Sequence, residues 1–579
     1  MKSMMWRRSS IVLVAMLAAA CGSSTPSSPP PGSPAATPGP SVVQPGPSVI
    51  PSAAAGLKNT VVVTVSDRLR VRSQPRVSDD SIKYEPVLPI GTELLVLDGP
   101  VAGSGYTWYK VAPVSFPGLG GPGFGWVSSA DKTGETWIAP QAGGSDVAMA
   151  VVPRAAANPA DAKRAGTSIN AFGVNLYRGL LADKDLAGKN LVFSPASIEI
   201  ALAMARGGAK GDTATQMDRV LQTSGWKELA AGINSLDQAL ASRNGSWTDG
   251  EGKKELTLKL ANAPFAQDGW SIEPAYLDAL GAAFGAGLRL VDYQANPEAA
   301  RGTINRWVSD RTAKRIPELL REPDVGDATR LFLVNAIYLK AQWTEWFNEE
   351  LTKPEPFHRP GGSTVSVPTM ERLGQQQIPY ARGTGWQATE LRYLGPDAKH
   401  QLAMLLVLPD NLAAFEAGFT GDQLARITAS VNKERGLLSQ FINCPGVPAD
   451  QQDAGCYRYT VDLFMPRFGV ETRAKLNKVL TALGMPRAFE TDADFSGIHV
   501  GDPLYIGTVI HQANIDVDEK GTEAAAATAV GMDTGGGPSP IKQITLRLDR
   551  PFLFFVRDVD TGAVLFMGRV TDPSAAKGS

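Results

Sequence analysis

Four histidines and three cysteines are the side chains of this 579-residue chain best suited to bind a metal or act as a nucleophile. The histidines His358, His400, His499 and His511 lack the paired spacing of a zinc site. No Gly-x-Ser-x-Gly motif provides a nucleophilic serine. The run 207–213 has the glycines of a phosphate loop, but its lysine precedes the final glycine, so a turn is the better interpretation. We therefore expect no enzyme activity, no metal and no cofactor.

The stretch 518–530 instead has the features of a segment on which another protein does chemistry. After Gly521 its side chains are small and include four consecutive alanines. Alanine favours a surface helix, so a short helix or an inert linker is one interpretation. The other interpretation is a β-strand, in which side chains alternate between two faces and both faces carry small residues. Such a strand could enter between two existing strands without displacing a core. About a dozen new ladder hydrogen bonds would then contribute on the order of 10 kcal/mol.

The segment 519–528 closely resembles the hinge of the inhibitory serpins, and other segments support the resemblance. They are 190–198 with 201–204 and 207–213, then 335–343, and the closing runs 550–554 and 565–570. The resemblance extends over 164–573. The mixed helical and strand patterns predict an α+β domain, and the resemblance implies three β-sheets with about nine helices.

The resemblance implies that the chain is a suicide-substrate inhibitor of a serine protease, with cysteine proteases as the alternative target class. The target attacks a bond in an exposed loop and forms an acyl-enzyme. The loop then inserts into a sheet as a new strand and distorts the oxyanion hole of the captured protease. The hinge residues implied are Glu519, Gly521, Thr522, Glu523, Ala524, Ala525, Ala526, Ala527 and Thr528.

The reactive bond in serpins lies about sixteen residues after the hinge glutamate, which here gives Gly535–Gly536. Because glycine has no side chain to fill a specificity pocket, bonds after Met532 or Thr534 are alternatives. No Lys or Arg occurs between Gly521 and Pro540, which favours chymotrypsin-like, elastase-like or subtilisin-like targets over trypsin-like ones.

The resemblance also implies residues that control how readily the sheet opens. His511 is expected to form a buried polar cluster with Ser194, Ser197 and Asn335. Trp343 is expected at the buried end of a strand. Arg467 is expected to form an exposed ion pair with Glu519, with a kinetic role rather than a large effect on stability.

The first 56 residues predict export and membrane attachment. Arg7 and Arg8 precede an apolar run, so residues 1–20 are interpreted as a signal peptide. The sequence before Cys21 resembles a lipoprotein cleavage site, although Ala18 stands where a large aliphatic residue is usual, which leaves ordinary cleavage open. Lipidation of Cys21 would anchor a secreted protein in a membrane, at the cell surface or in the periplasm. Residues 21–56 are interpreted as a Pro/Ser-rich linker.

Residues 57–139 have five strand-like runs separated by turn residues, which predicts a small all-β barrel. Parts of it resemble the bacterial variety of Src-homology-3-like domain. Trp108 and Trp126 could line a groove for a cell-wall peptide or glycan, or belong to the core. Residues 140–163 are interpreted as a second linker, and Ser168 as the cap of a helix with apolar positions at Ile169 and Phe172.

Cys444 and Cys456 are expected to form a disulfide in an oxidising compartment, with two free thiols as the alternative. A formal net charge of −2 gives no reason to expect a nucleic-acid partner, and we expect a monomer. The competing function is that of a non-inhibitory serpin, a cell-envelope binding or scaffolding protein that acts through its Src-homology-3-like domain. Bulky, charged or proline residues in the hinge beyond Glu523 would favour that alternative, and the hinge has none there.

Overall fold

The computed structural model describes residues 57–58, 60–114, 119, 122–140, 146–150, 152–249, 252–375, 378–396, 401–441, 459–522 and 542–575. These ranges belong to one compact unit. The predictions for Cys21, Cys444 and Cys456 lie outside the described residues. So do those for the hinge from Glu523 to Thr528 and for the reactive bond at Met532, Thr534, Gly535 or Gly536. In the described ranges, no helix is both long and apolar enough to cross a membrane.

The N-terminal β unit, residues 57–140, is a single seven-stranded sheet. Its strands are β1 (Val61–Thr64), β2 (Leu69–Arg72), β3 (Lys83–Leu88), β4 (Glu93–Gly103), β5 (Tyr106–Pro113), β6 (Gly125–Ser128) and β7 (Ile138–Pro140). They pair in the order β3-β2-β6-β5-β4-β1-β7. All five strand-like runs predicted from alternation are strands. Trp108 is only 3% exposed, and its indole N–H donates to the carbonyl of Gly103 at 2.7 Å. It is therefore a core residue rather than part of a groove, whereas Trp126 is half-buried.

Nine α-helices occur in the described ranges. They are α1 (Pro159–Leu181), α2 (Pro195–Arg206), α3 (Gly211–Val220), α4 (Trp226–Ala241), α5 (Pro274–Phe284), α6 (Pro297–Arg311), α7 (Leu412–Ala417), α8 (Gly421–Phe441) and α9 (Asn477–Leu483). The helix α2 is buried along nearly its whole length because sheets and helices surround it.

The first helix begins earlier than predicted. Its cap is Asn158, whose side chain accepts a hydrogen bond from the amide of Ala160 at 2.9 Å, and Pro159 occupies the first helical position. The prediction that Ser168 caps this helix is wrong, since Ser168 lies inside it. The apolar positions were predicted correctly, as Ile169 and Phe172 are buried.

The remaining strands form three further sheets. They are β8 (Asp146–Ala148), β9 (Leu191–Phe193), β10 (Gly245–Asp249), β11 (Gly252–Gln267), β12 (Leu288–Val291), β13 (Leu331–Gln342), β14 (Lys353–His358), β15 (Thr364–Gln375), β16 (Tyr380–Gly383), β17 (Trp386–Arg392), β18 (Leu402–Pro409), β19 (Tyr459–Pro466), β20 (Phe468–Lys475), β21 (Thr508–Val517), β22 (Gly521–Thr522), β23 (Lys542–Arg547), β24 (Phe552–Asp558) and β25 (Val564–Val570).

The largest of these sheets has the order β20-β21-β22-β13-β11-β12-β8, with β10 paired to β11. The second sheet is β14-β15-β19-β23, and the third is β16-β17-β18-β24-β25-β9. Three sheets and nine helices are what the resemblance implied for the large domain. The core lies between these sheets and the helices α1 and α2.

The segment 140–163 is more than a connector where the structure describes it. Its strand β8 pairs antiparallel with β12 and thereby extends the largest sheet, and its last five residues begin α1. The Ala/Pro/Gly-rich composition did not indicate this pairing. Strand addition at a sheet edge depends on backbone groups, and composition reports these poorly.

Candidate functional site

The largest sheet has a seam between the parallel strands β13 and β21. At one end they pair directly, from Phe332 opposite Thr508 to Ala336 opposite Gln512. At the other end β22 lies between them, because Thr522 pairs with both Ala341 and Val517. In the described part of the chain, residues 337–340 and 513–516 separate these two ends of the seam. We call the first the closed end and the second the entry end.

The strand β22 enters the seam antiparallel to both of its neighbours. The chain runs up β21, turns at 518–520 and returns as Gly521–Thr522. A strand that continued in this direction would run down the seam and form antiparallel ladders on both sides. Gly521 and Thr522 of the predicted hinge are therefore placed as the first residues of an inserting strand would be.

The turn before β22 is held by Asp518. Its Oδ1 accepts hydrogen bonds from the amides of Lys520 at 2.9 Å and Gly521 at 3.1 Å. Gly521 has a φ of +152°, and a Cβ on it would lie 2.1 Å from the carbonyl oxygen of Ala341. Only glycine fits this close approach of two strands without a shift of the backbone.

Glu519 fixes the entry end of the seam to a neighbouring sheet. Its Oε1 accepts a hydrogen bond at 2.7 Å from Nε of Arg467, which follows β19, and another from the hydroxyl of Thr352. The predicted ion pair is therefore confirmed, but the expectation that it is exposed is wrong for the carboxylate. Glu519 is 3% exposed while Arg467 is 44% exposed. The hydrogen bond that Arg467 donates to the carboxylate of Glu519 raises the pKa of Arg467.

Trp343 packs under the same turn. Its indole N–H donates to the carbonyl of Asp518 at 3.0 Å, and its ring stacks on Tyr393 with centroids 4.4 Å apart. The hydroxyls of Tyr393 and Thr522 are 2.7 Å apart, so the stack also contacts β22. Trp343 is fully buried, as predicted. Tyr393 was not predicted from the sequence, since a lone tyrosine in a strand-rich segment carries no distinguishing signal.

The polar cluster forms at the closed end of the seam. Asn335 and His511 face each other in register across β13 and β21, and Oδ1 of Asn335 contacts Nδ1 of His511. His511 Nε2 accepts a hydrogen bond from the amide of Ser194 at 3.0 Å. Asn335 Nδ2 donates to the hydroxyl of Ser197 at 2.8 Å. The four residues predicted to meet are thus brought together.

The acceptor role of Nε2 fixes the protonation state of His511. A ring that accepts at Nε2 and faces a carbonyl oxygen at Nδ1 is neutral and carries its proton on Nδ1. Burial lowers the pKa of His511 to about 3, which is consistent with a neutral ring. A further member of the cluster, Asn262 on β11, accepts from Ser197 at 2.8 Å and from Asn335 at 3.0 Å. A polar residue within the strand run 258–263 was the available signal for it.

The large domain was compared with known protein families. A model of the family described as "Serpin (serine protease inhibitor)" matches residues 167–573. The chain belongs to the serpin family.

Individual serpins match most of the large domain. An uncharacterized serpin-like protein, TK1782 of Thermococcus kodakarensis, is 35% identical over 411 residues, which are 70% of this chain and 85% of that protein. The leukocyte elastase inhibitor of Bos taurus is 33% identical over 402 residues, which are 69% of this chain and 97% of that inhibitor. The crystal structure of Serpin48 from the insect Tenebrio molitor has a TM-score of 0.54 at 26% identity and covers 71% of this chain and 98% of its own.

In this serpin, two groups of residues hold the two ends of one seam. The cluster around His511 lies where β13 and β21 are already paired, and the contacts of Glu519 and Trp343 lie where β22 begins to separate them. A sheet that admits a new strand must change at both places. The residues predicted to control opening of the sheet thus lie at both of these places.

Proposed function

We propose that this serpin inhibits a serine protease by inserting its cleaved loop into the seam between β13 and β21. One observation carries the proposal. Gly521–Thr522 already lies between these strands, antiparallel to both, so insertion continues a strand that has begun. The residues that follow Glu523, Ala524 to Thr528, are small enough to enter a packed sheet.

In this mechanism the target protease carries out the bond cleavage, and the serpin then traps the acyl-enzyme by a change of its own structure. The protease nucleophile attacks a carbonyl in the loop and expels the amine of the next residue, which leaves an acyl-enzyme. Loop insertion then carries the protease away from the entry end before water can attack the ester. The starting fold must be kinetically trapped for this to work, because the inserted form gains ladder hydrogen bonds.

We place the reactive bond at Gly535–Gly536, with the bonds after Met532 and Thr534 as alternatives. The loop contains no Lys or Arg between Gly521 and Pro540, which supports a target that prefers small or apolar side chains. The similarity to leukocyte elastase inhibitor supports the same class of target. Cysteine proteases are the second class to test.

The test mixes the protein with elastase, chymotrypsin, subtilisin, trypsin and papain. We expect a covalent complex that survives detergent with at least one of the first three, and mass spectrometry of the released C-terminal peptide then identifies the cleaved bond. Cleavage of the loop by every protease with no covalent complex would contradict inhibition. That result would favour the alternative of a non-inhibitory serpin that binds at the cell envelope.

We also propose that the protein is an exported lipoprotein, anchored through Cys21 at the cell surface or in the periplasm. Metabolic labelling with a radioactive fatty acid in a bacterial host tests this. Label should enter the wild type and be lost from a Cys21→Ser variant, whereas label in neither protein would contradict the anchor. Export would also place Cys444 and Cys456 in an oxidising compartment, where we propose that they form a disulfide.

The N-terminal β unit is proposed to be a Src-homology-3-like domain that binds a cell-wall peptide or glycan. Its half-buried aromatic side chains support this proposal. Tyr106 lies 6.2 Å from Trp137 between ring centroids, and the ammonium of Lys132 lies 5.3 Å from the ring of Tyr106. Sedimentation with purified peptidoglycan is the test. Loss of binding in Tyr106→Ala with binding kept in Tyr84→Ala would support a binding surface at Tyr106. A wild-type protein that does not sediment with peptidoglycan would contradict the proposal.

A further inference from the structure

The N-terminal β unit is joined to the large domain by a buried carboxylate. Glu93, the first residue of β4, is 4% exposed. Its Oε2 accepts hydrogen bonds from Arg289 of β12 and, at 2.6 Å, from Arg311, the last residue of α6. One carboxylate of the β unit therefore binds two elements of the serpin domain at once.

The arginines are held in place by one tryptophan. The guanidinium carbon of Arg289 lies 5.0 Å from the ring centroid of Trp307, and that of Arg311 lies 4.8 Å from it. Trp307 belongs to α6 and is itself buried. Two buried or half-buried cations close together repel each other, so the charge of Glu93 is needed to keep them side by side.

A second connection reinforces the first. The strand β8 comes directly after the β unit in the chain and pairs with β12, with Val147 opposite Arg289. Further along, Arg154 forms an ion pair with Asp237 of α4 at 2.6 Å. The β unit is thus attached to the serpin domain both by a side-chain contact and by the strand that follows it.

The helix α6 and the connection after it form one apolar layer with the strands that border the seam. One apolar cluster contains Ile304 of α6, Leu319 of the connection, Val334 of β13 and Ile510 of β21. The connection is also bonded to the strands beyond the seam, since Arg473 of β20 donates to the carbonyl of Leu319 at 3.0 Å. A strand that enters between β13 and β21 must separate them, and the layer packed across both must shift.

We propose that the N-terminal β unit is a built-in clamp that slows opening of the seam. Glu93 fixes the end of α6 to β12, a strand that lies to one side of the seam. Movement of α6 away from the sheet breaks the bond between Arg311 and Glu93. The buried carboxylate of Glu93 is then left with one cation fewer. This proposal depends on the proposed function in one respect, namely that the motion slowed by the clamp is loop insertion. A ligand that displaces the β unit would release the clamp and speed insertion.

The experiment uses the full chain with Glu93→Gln, Arg311→Gln and the double variant. Glu85→Gln is the matched control, because Glu85 forms an exposed ion pair with Arg70 within the β unit. Hydrogen exchange of α6 and of 312–325 is measured in the uncleaved protein, together with the rate of conversion to a loop-inserted, heat-resistant form on warming. Exchange of β1 and β5 reports whether the β unit remains folded.

We expect each single variant to raise both rates by roughly fivefold or more, a usual size for coupling between sites. The double variant should add little, because both changes remove one interaction. If Glu93→Gln unfolds the β unit, the rates of the Arg311→Gln variant decide the outcome. Exchange equal to that of Glu85→Gln would overturn the clamp, and so would faster exchange without faster conversion. A wild type that captures no protease yet shows these differences would contradict the proposed function and leave the clamp standing.

Discussion

The carboxylate of Glu519 lies 2.7 Å from the guanidinium of Arg467, and it does so from a side chain that is almost entirely buried. The bond ties the turn that precedes β22 to Arg467, which follows β19 of another sheet. A charge held inside a protein must be paired, so this contact is more than a surface ion pair. It fixes the start of β22 at the entry end of the seam.

Reversal of this charge is expected to loosen the entry end. Glu519→Lys places an ammonium beside Arg467 in place of the buried carboxylate, and the repulsion should release the turn 518–520. We expect spontaneous loop insertion or polymerisation on warming to become at least about tenfold faster, which corresponds to ~1.4 kcal/mol in the barrier. Native gels after timed incubation measure the rate. Glu350→Lys, a reversal at a nearby exposed residue, is the control, and equal rates in the two variants would remove the claim.

Loss of the His511 ring is expected to loosen the closed end. His511→Ala leaves the amide of Ser194 and the side chain of Asn335 each without a bond that they now make, at about 1–3 kcal/mol for each buried group. The variant should melt at a lower temperature and polymerise faster than the wild type on warming. Unchanged melting and unchanged polymerisation would mean that the cluster does not hold the seam.

Acid should act on the same residue. The pKa of His511 is about 3 in the folded protein and about 6.5 when unfolded, so between these values the unfolded chain binds a proton that the folded protein does not. The neutral ring of His511 therefore makes its full contribution to the free energy of unfolding above pH 6.5. This contribution decreases as the pH falls, and at pH 5 the free energy of unfolding is lower by about 2 kcal/mol. Denaturant unfolding at pH 7.5 and pH 5 measures it. The loss should be smaller in His511→Asn and unchanged in a variant of the exposed His358; equal losses in all three proteins would contradict the assignment.

Substitution in β22 should separate cleavage from capture. Thr522 is buried and its hydroxyl contacts Tyr393, so Thr522→Arg would place a long cation between β13 and β21. We expect the protease to cleave this variant as a substrate, with the covalent complex reduced at least about tenfold relative to the wild type. Thr522→Ser keeps the hydroxyl and should capture normally. Densitometry of complex and cleaved bands on denaturing gels gives the ratio, and full capture by Thr522→Arg would argue against insertion through this seam.

Cleavage of the loop should make the protein more resistant to heat. A dozen new ladder hydrogen bonds contribute on the order of 10 kcal/mol, which in a domain of this size raises the melting temperature by on the order of 10 °C. Limited digestion with a non-target protease followed by calorimetry measures the change. A Gly521→Val variant, whose side chain would collide with Ala341, should gain much less. No rise in the wild type would mean that the uncleaved protein stores no energy.

Local patterns in the sequence were sufficient for several parts of the site. The apolar/polar alternation in 510–517 is typical of a half-buried strand, and this segment lies in β21. The small residues after Gly521 allowed a strand that could insert, with a short helix or a linker as the alternative. The cluster around His511 and the pair Arg467–Glu519 followed from the resemblance to serpins, and the structure brings each of these groups together. These features were accessible because either a period along one strand or a family motif encodes them.

Only the tertiary structure showed where α1 begins, that β8 extends the largest sheet, and that Glu93 binds both Arg289 and Arg311. It also decided that Glu519 is buried and that Tyr393 supports Thr522. The sequence by itself determined which segments could be strands or helices and which of them lack bulk, because those properties depend on neighbours along the chain. Burial and ion pairing between residues far apart in sequence depend on which surfaces meet, and the packing of the whole domain decides that.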